Sequence, residues 1–121
     1  KNEKPMIVEE AGGIMVPLNH NKEYIVPLLA PKVDAIVLVT KNYLGSINHT
    51  LLSIEALRKY NKPVFIIFNG KEHPTNQEAI EEFLNENASI LAHIPEVEFV
   101  NADWVDQIAQ RMDVSKLEGE C

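Results

Sequence analysis

The apolar residues of this chain fall into short runs with the periodicity of strands and helices in turn. Two runs, Ala35–Val39 and Pro63–Phe68, are continuous and rich in β-branched or aromatic residues. Such runs are typical of strands buried on both faces of a parallel sheet. Shorter runs at Met6–Glu9 and Ser89–Ile94 also predict strands, which gives four strands in all.

Apolar residues at helical spacing lie between and after these strands. The third helical stretch, for example, places Ile80, Phe83 and Leu84 together on one face. The predicted helices are Glu23–Ala30, Ile47–Tyr60, Thr75–Glu86 and a last one that Asn101 caps and that reaches Met112.

Polar residues at the predicted helix starts support these assignments. Ser46 is a good N-cap, and Thr75-x-x-Glu78 has the form of a capping box. Pro27 is expected to kink or restart the first helix.

The alternation of strand and helix predicts an α/β fold, a parallel sheet with flanking helices. We assign residues 1–112 to a single α/β domain and residues 113–121 to a polar tail. In such sheets ligands bind beyond the C-terminal ends of the strands. The loops of interest are therefore Glu9–Gly13, Thr40–Asn48, Asn69–Glu72 and Ile94–Val97.

The acidic balance of the chain narrows the choice of partners. The net charge is -7, and the few Lys and Arg residues are scattered. Nucleic acid and an anionic membrane surface are therefore not expected as partners. A nucleotide ligand remains compatible with this charge, because a bound divalent metal supplies local positive charge.

Residues at the two ends of the chain bear on its cellular location and on whether it is a fragment. The lone cysteine, Cys121, cannot form a disulfide within the chain, which fits a cytoplasmic location. No signal peptide follows Lys1, and no apolar stretch is long enough to span a bilayer. A start at Lys rather than Met has two interpretations, a trimmed tag or a fragment of a longer protein.

Two of the loops suggest ligand chemistry, each with an ordinary structural alternative. Glu9–Gly13 combines carboxylates that can hold a hard cation with glycines that let backbone amides approach a phosphate, but it also suits a solvated turn. Leu44–His49 leads into a helix N-terminus that can bind a carboxylate, or it is a simple cap. We interpret His49, His20, His73 and His93 as surface or structural residues.

The chain has no phosphate-binding loop of the Walker type. Its only Gly-Lys pair is Gly70-Lys71, with Phe65 where the motif needs glycine and Glu72 where it needs Ser or Thr. The Asn69-Gly70 pair can read a purine edge or form a common turn. A receiver domain is also disfavoured, because Thr40 and Asn69 stand where a phosphoacceptor Asp belongs.

The same loops carry motifs of a known family. Val8–Gly13 resembles the Val-Glu-Gly-Ala-Gly-Gly motif of dethiobiotin synthetases, and Tyr43–Leu52 resembles their Leu-Gly-x-Ile-Asn-His helix start. Ile67–Gly70 and His93–Pro95 fall where that family has its adenine-side segments. The resemblance covers nearly the whole chain but only the C-terminal half of the family's fold.

The resemblance implies a fold and an activity. The family has a P-loop NTPase-like fold and is a cytoplasmic ligase of biotin biosynthesis. It uses ATP, magnesium and carbon dioxide to close a ureido ring on 7,8-diaminononanoate. It is usually a homodimer with its sites near the subunit interface.

The resemblance also implies residue roles. Glu9 would be a magnesium ligand, and the substrate carboxylate would be bound by Gly45, Ser46 and Asn48, in the partner subunit. No catalytic residue is carried over to this half. The ATP-binding residues implied by the family are Glu10, Ala11, Gly12, Asn69, Gly70, Pro95, Glu96 and Val97.

Two departures from the family pattern affect these expectations. Glu10 stands where the family has Gly, and a second carboxylate there either adds a metal ligand or repels phosphate. The N-terminal half, in which the family keeps its P-loop, catalytic lysines and another magnesium ligand, is not in this sequence. We therefore expect a fragment that is inactive alone. The alternative is a non-catalytic nucleotide- or carboxylate-binding module derived from the family.

Overall fold

Three parallel strands form the sheet of the computed structural model, which describes residues 4–118. The strand order is β1-β2-β3, and both neighbouring pairs are parallel. The predicted α/β class with a parallel sheet is confirmed. The strands are β1 at Ile36–Thr40, β2 at Val64–Asn69 and β3 at Ala88–Ile94.

Helices connect and flank these strands. Short 3-10 turns at Ala30–Lys32 and Val114–Leu117 follow the first and last helices. Within residues 4–118, no helix combines the length and apolar character needed to cross a membrane. The helices are α1 at Ile25–Leu29, α2 at Ser46–Arg58, α3 at Pro74–Glu82 and α4 at Ala102–Arg111.

The core is built on β2, the central strand. Side chains of Val64, Ile66 and Phe68 point to one face, where they pack with apolar residues of α2 and α3 such as Leu57 and Ile80. Burial of each such side chain contributes about 1.5–3 kcal/mol. The opposite face of β2 is also buried. The burial on both faces that its continuous apolar run predicted is therefore confirmed.

β1 is buried on one face only, so the prediction of double burial is wrong for this strand. Ile36 and Leu38 pack against the core, whereas Val37 and Val39 on the other face are 42% and 59% exposed. Among the described residues β1 is also an edge strand, with β2 as its one strand neighbour.

The predicted strand at Met6–Glu9 is wrong for the described structure. The segment is not a strand, and Met6 and Ile7 are 84% and 94% exposed. A strand exists only through hydrogen bonds to a neighbouring strand, and no strand within residues 4–118 pairs with this segment. Its apolar pattern therefore has nothing to pack against here.

Two predicted helix starts need correction. Gly45, at φ +95°, is the N-cap of α2, and Ser46 is its first helical residue rather than its cap. In α3 the N-cap is His73 and Pro74 is the first residue, so Thr75 lies too far into the helix to form a capping box. The expected cap at Asn101 is confirmed, since its Oδ1 accepts from the Trp104 amide at 2.9 Å.

Two further details of the helices differ from expectation. Pro27 lies in the first turn of α1, where backbone amides have no helical partner to lose, so the helix continues through it. α3 ends at Glu82, and Phe83, predicted on a buried face, is 70% exposed just beyond it. Cys121 lies outside the described residues.

Candidate functional site

The C-terminal ends of the three strands lie side by side. Thr40 pairs in register with Phe68, and Asn69 with Ile94. The loops that follow these strands are therefore neighbours at one edge of the sheet, as a parallel sheet requires. Three of the four loops singled out from the sequence begin there.

A cavity of about 820 Å³ opens between the loops after β1 and β2. One wall is the segment 42–48, which contains the predicted substrate-binding residues Gly45, Ser46 and Asn48. The other wall is Lys71, Glu72 and His73, with Asn76 of α3. The structure thus brings the three predicted substrate-side residues together on one side of a single cavity.

Ser46 adds a buried polar group to the wall of this cavity. The residue is 1% exposed, and its Oγ has no hydrogen-bond partner in the structure. Buried hydroxyls are usually paired, and this one stands at the positive end of a helix. The Ser46 amide donates to the Tyr43 carbonyl and the His49 amide to the Gly45 carbonyl, both at 3.0 Å. The Ile47 and Asn48 amides between them have no backbone acceptor and are available to an anion.

The predicted adenine-side residues form a second group. Asn69 is exposed at the end of β2, and the Gly70 amide donates to the Ile94 carbonyl at 2.8 Å. This bond brings the Asn69-Gly70 turn beside the start of Pro95–Val97, in which Pro95 is half-buried and Glu96 and Val97 are exposed. None of these residues lines the cavity, so the predicted adenine-side residues and the predicted substrate-side residues form two separate groups.

The loop at residues 9–12 does not line the cavity either. Gly12 has φ +107°, and a Cβ there would lie 2.8 Å from Val16 Cγ2, so only glycine fits. Glu9 and Ala11 are exposed, whereas Glu10 is half-buried and its Oε1 is enclosed without a hydrogen-bond partner.

These carboxylates fit a magnesium ion that completes its shell elsewhere. No cluster of three or more His, Cys, Asp or Glu side chains is found in the segment 4–118. Magnesium bound to nucleotides needs only one or two protein carboxylates, because phosphate and water oxygens fill the other positions. The exposed carboxylate of Glu9 meets that requirement by itself, whereas Oε1 of Glu10 is enclosed.

Asn42 and His93 make hydrogen-bonding contacts with the loop after β2 that the sequence analysis did not predict. Asn42 Nδ2 donates to the Lys71 carbonyl at 2.8 Å, and His93 Nε2 lies 2.9 Å from the Gly70 carbonyl oxygen. The sequence predicted a surface or structural role for His93, and the contact with Gly70 is structural, but its partner was not predicted. Its place one residue before the end of β3 was the available signal.

Curated relatives of this chain are synthetases of biotin biosynthesis. It is 53% identical over 83 residues to an ATP-dependent dethiobiotin synthetase BioD of Christiangramia forsetii, covering 68% of this chain and 39% of that protein. It is 37% identical over 114 residues to the BioD of Cytophaga hutchinsonii, covering 92% and 53%. A bifunctional protein BioCD of Bordetella avium is 41% identical over 103 residues, covering 84% and 22%.

The chain thus spans about half the length of these relatives or less. No solved structure matches it. A family model described as an AAA domain matches residues 1–103, most of the chain. Together with the parallel sheet and its flanking helices, this match shows that the chain belongs to the AAA domain family, with a P-loop NTPase-like fold, and is a homologue of dethiobiotin synthetases.

Proposed function

We propose that this chain is the part of a dethiobiotin synthetase that binds the substrate carboxylate and the adenine base. The observation that carries the proposal is the buried Ser46 hydroxyl, partnerless at the start of α2 and on the wall of a cavity. A substrate carboxylate would supply the missing acceptor, so the hydroxyl would donate to it while the helix amides share its charge.

The residues of this chain would act chiefly by positioning. Gly45, Ser46 and Asn48 would hold the carboxylate of 7,8-diaminononanoate, and the length of the substrate would then fix where its two amines lie. Asn69 would read the adenine edge with its donor and acceptor, beside Gly70 and Pro95–Val97.

The phosphate side requires groups that this sequence does not contain. Ala11 and Gly12 would approach the phosphates through their backbone, and Glu9, joined by Glu10, would hold magnesium. Magnesium, when bound, neutralises charge on the phosphates. Turnover needs a Walker-type loop, which these 121 residues do not contain, so we propose that they are inactive alone. We also propose that the working enzyme is a cytoplasmic homodimer that consumes carbon dioxide and ATP.

Comparison of two ligands tests the carboxylate site. NMR titration of the chain with 7,8-diaminononanoate should shift the amide signals of residues 45–49. The matching diamine without its carboxylate should shift them far less, because the charge that the helix start recognises is gone. Equal shifts with both compounds would remove the basis for the proposal.

An activity assay tests the rest of the proposal. The chain alone should form no dethiobiotin from 7,8-diaminononanoate, bicarbonate, ATP and magnesium. Addition of a polypeptide that carries the phosphate-binding half of a relative should restore turnover if the two parts associate. Turnover by these 121 residues alone would contradict the proposal that a phosphate-binding loop from outside this sequence is required.

A further inference from the structure

The loop after β2 is held from both sides by its neighbours in the sheet. From the β3 side, the Ile94 carbonyl accepts from the Gly70 amide at 2.8 Å, and the His93 ring contacts the Gly70 carbonyl at 2.9 Å. From the β1 side, Asn42 donates to the Lys71 carbonyl at 2.8 Å. Both backbone polar groups of Gly70 are thus engaged by β3.

His93 makes a second contact within the same loop. Its Nδ1 lies 3.1 Å from Glu72 Oε1, and its Nε2 is the atom that faces the Gly70 carbonyl. A carbonyl and a carboxylate both accept hydrogen bonds, so the ring makes both contacts when each nitrogen carries a hydrogen. The half-buried ring therefore joins the first and third residues of a three-residue segment, Gly70 to Glu72.

This segment needs such support because of its conformation. Gly70 has φ +104° and no atom within 4 Å of the place where a Cβ would stand. Glycine in an open position has the greatest backbone freedom of any residue. Without the contacts from His93 and Asn42, the turn after β2 would have little to select one conformation.

The held segment joins the two halves of the candidate site. Asn69, the proposed adenine reader, immediately precedes it, and Lys71 and Glu72 line the carboxylate cavity. We propose that His93 is a positioning residue: by bridging Gly70 and Glu72 it fixes the orientation of Asn69 toward the base and of the cavity wall toward the substrate. The inference rests on the proposed function of these two subsites.

A set of variants in the present chain tests this role. His93→Leu removes both contacts, whereas His93→Gln places an amide nitrogen near the position of Nε2 and can still donate to Gly70. Glu72→Ala removes the second contact at an exposed side chain, where the fold is not at risk. His20→Gln, at an exposed histidine outside this loop, serves as the control.

Two NMR measurements report on the variants. Hydrogen exchange of the Gly70 amide measures how firmly the turn is held, and ATP-induced shifts at Asn69 measure the base site. His93→Leu should speed Gly70 exchange about five- to tenfold and weaken the ATP response about fivefold, as expected for a lost hydrogen bond. His93→Gln should return both toward wild type, and His20→Gln should change neither.

The outcomes separate the inference from the function on which it rests. Wild-type exchange at Gly70 in His93→Leu, or no rescue by His93→Gln, would overturn the role of His93. If His93→Leu fails to fold, Glu72→Ala becomes the test. An unchanged exchange rate of the Gly70 amide in Glu72→Ala would then overturn the positioning role of His93. If ATP shifts no signal near Asn69 in the wild type, the assignment of Asn69 to the adenine site is wrong. The exchange rate of the Gly70 amide still tests whether His93 holds the turn.

Discussion

A single buried hydroxyl, that of Ser46, distinguishes the start of α2 from an ordinary helix start. A buried polar group without a partner is costly, and proteins commonly keep such groups where a ligand completes the hydrogen bond. Ser46 is 1% exposed and its Oγ has no partner. The residue therefore has a measurable consequence for stability as well as for binding.

We expect Ser46→Ala to stabilise the free chain while it weakens substrate binding. Removal of the unpaired hydroxyl should raise the free energy of unfolding by roughly 1 kcal/mol, because its desolvation cost disappears. Urea unfolding measures this. Ser53→Ala is the control, since Ser53 Oγ already donates to the His49 carbonyl at 2.8 Å. Destabilisation by Ser46→Ala beyond that of the control would mean that the hydroxyl is paired in solution.

At the scale of elements, the sequence correctly predicted the strands and helices whose apolar residues find packing partners within this chain. β2 and β3 are paired parallel strands, and the apolar face of α2 packs on β2. Met6–Glu9 failed because periodicity specifies which residues prefer to be buried, not which strand pairs with them. The starts of α2 and α3 were predicted wrongly because Gly45 caps α2 in a left-handed conformation and Pro74 occupies the first position of α3.

The candidate site also contains features that the sequence predicted and features that it could not predict. The loops at the strand ends follow from the parallel topology alone, so Gly45, Ser46, Asn48 and Asn69 could be listed from the sequence. The bond between His93 and Gly70 could not, because it depends on side-chain directions at the end of β3. The β2–β3 register shifts between Ile66 and Ile67, and no local pattern showed it.

β1 and α2 are tied together beside the site by one hydrogen bond. Thr40 Oγ1 and Thr50 Oγ1 lie 2.6 Å apart, and Thr50 is buried. A double-mutant cycle of Thr40→Val and Thr50→Val should give a coupling energy of about 0.5–1.5 kcal/mol. Thermal unfolding of the four proteins measures it. Strictly additive effects would show that the two hydroxyls do not interact.

At the scale of the whole molecule, exposed apolar side chains are spread over the described residues, and two of them lie on the edge strand of the sheet. Val37 and Val39 are exposed on the same face of β1, which has β2 as its one strand partner among residues 4–118. Met6 and Ile7, outside the sheet, are more exposed still. The free edge of a strand that carries exposed apolar side chains is a template for pairing with another chain. The chain should therefore associate with itself as its concentration rises.

A charge on the edge strand should suppress this association without unfolding the chain. Val39→Lys places a cation on the exposed face of β1, a position at which natural edge strands often carry Lys. Because Val39 is 59% exposed, the free energy of unfolding should change by no more than about 0.5 kcal/mol. Sedimentation velocity over a concentration series should then show less oligomer than the wild type. Val105→Lys, at an exposed valine of α4, is the matched control and should associate like the wild type. If both variants reduced association equally, net charge rather than the β1 edge would be its determinant.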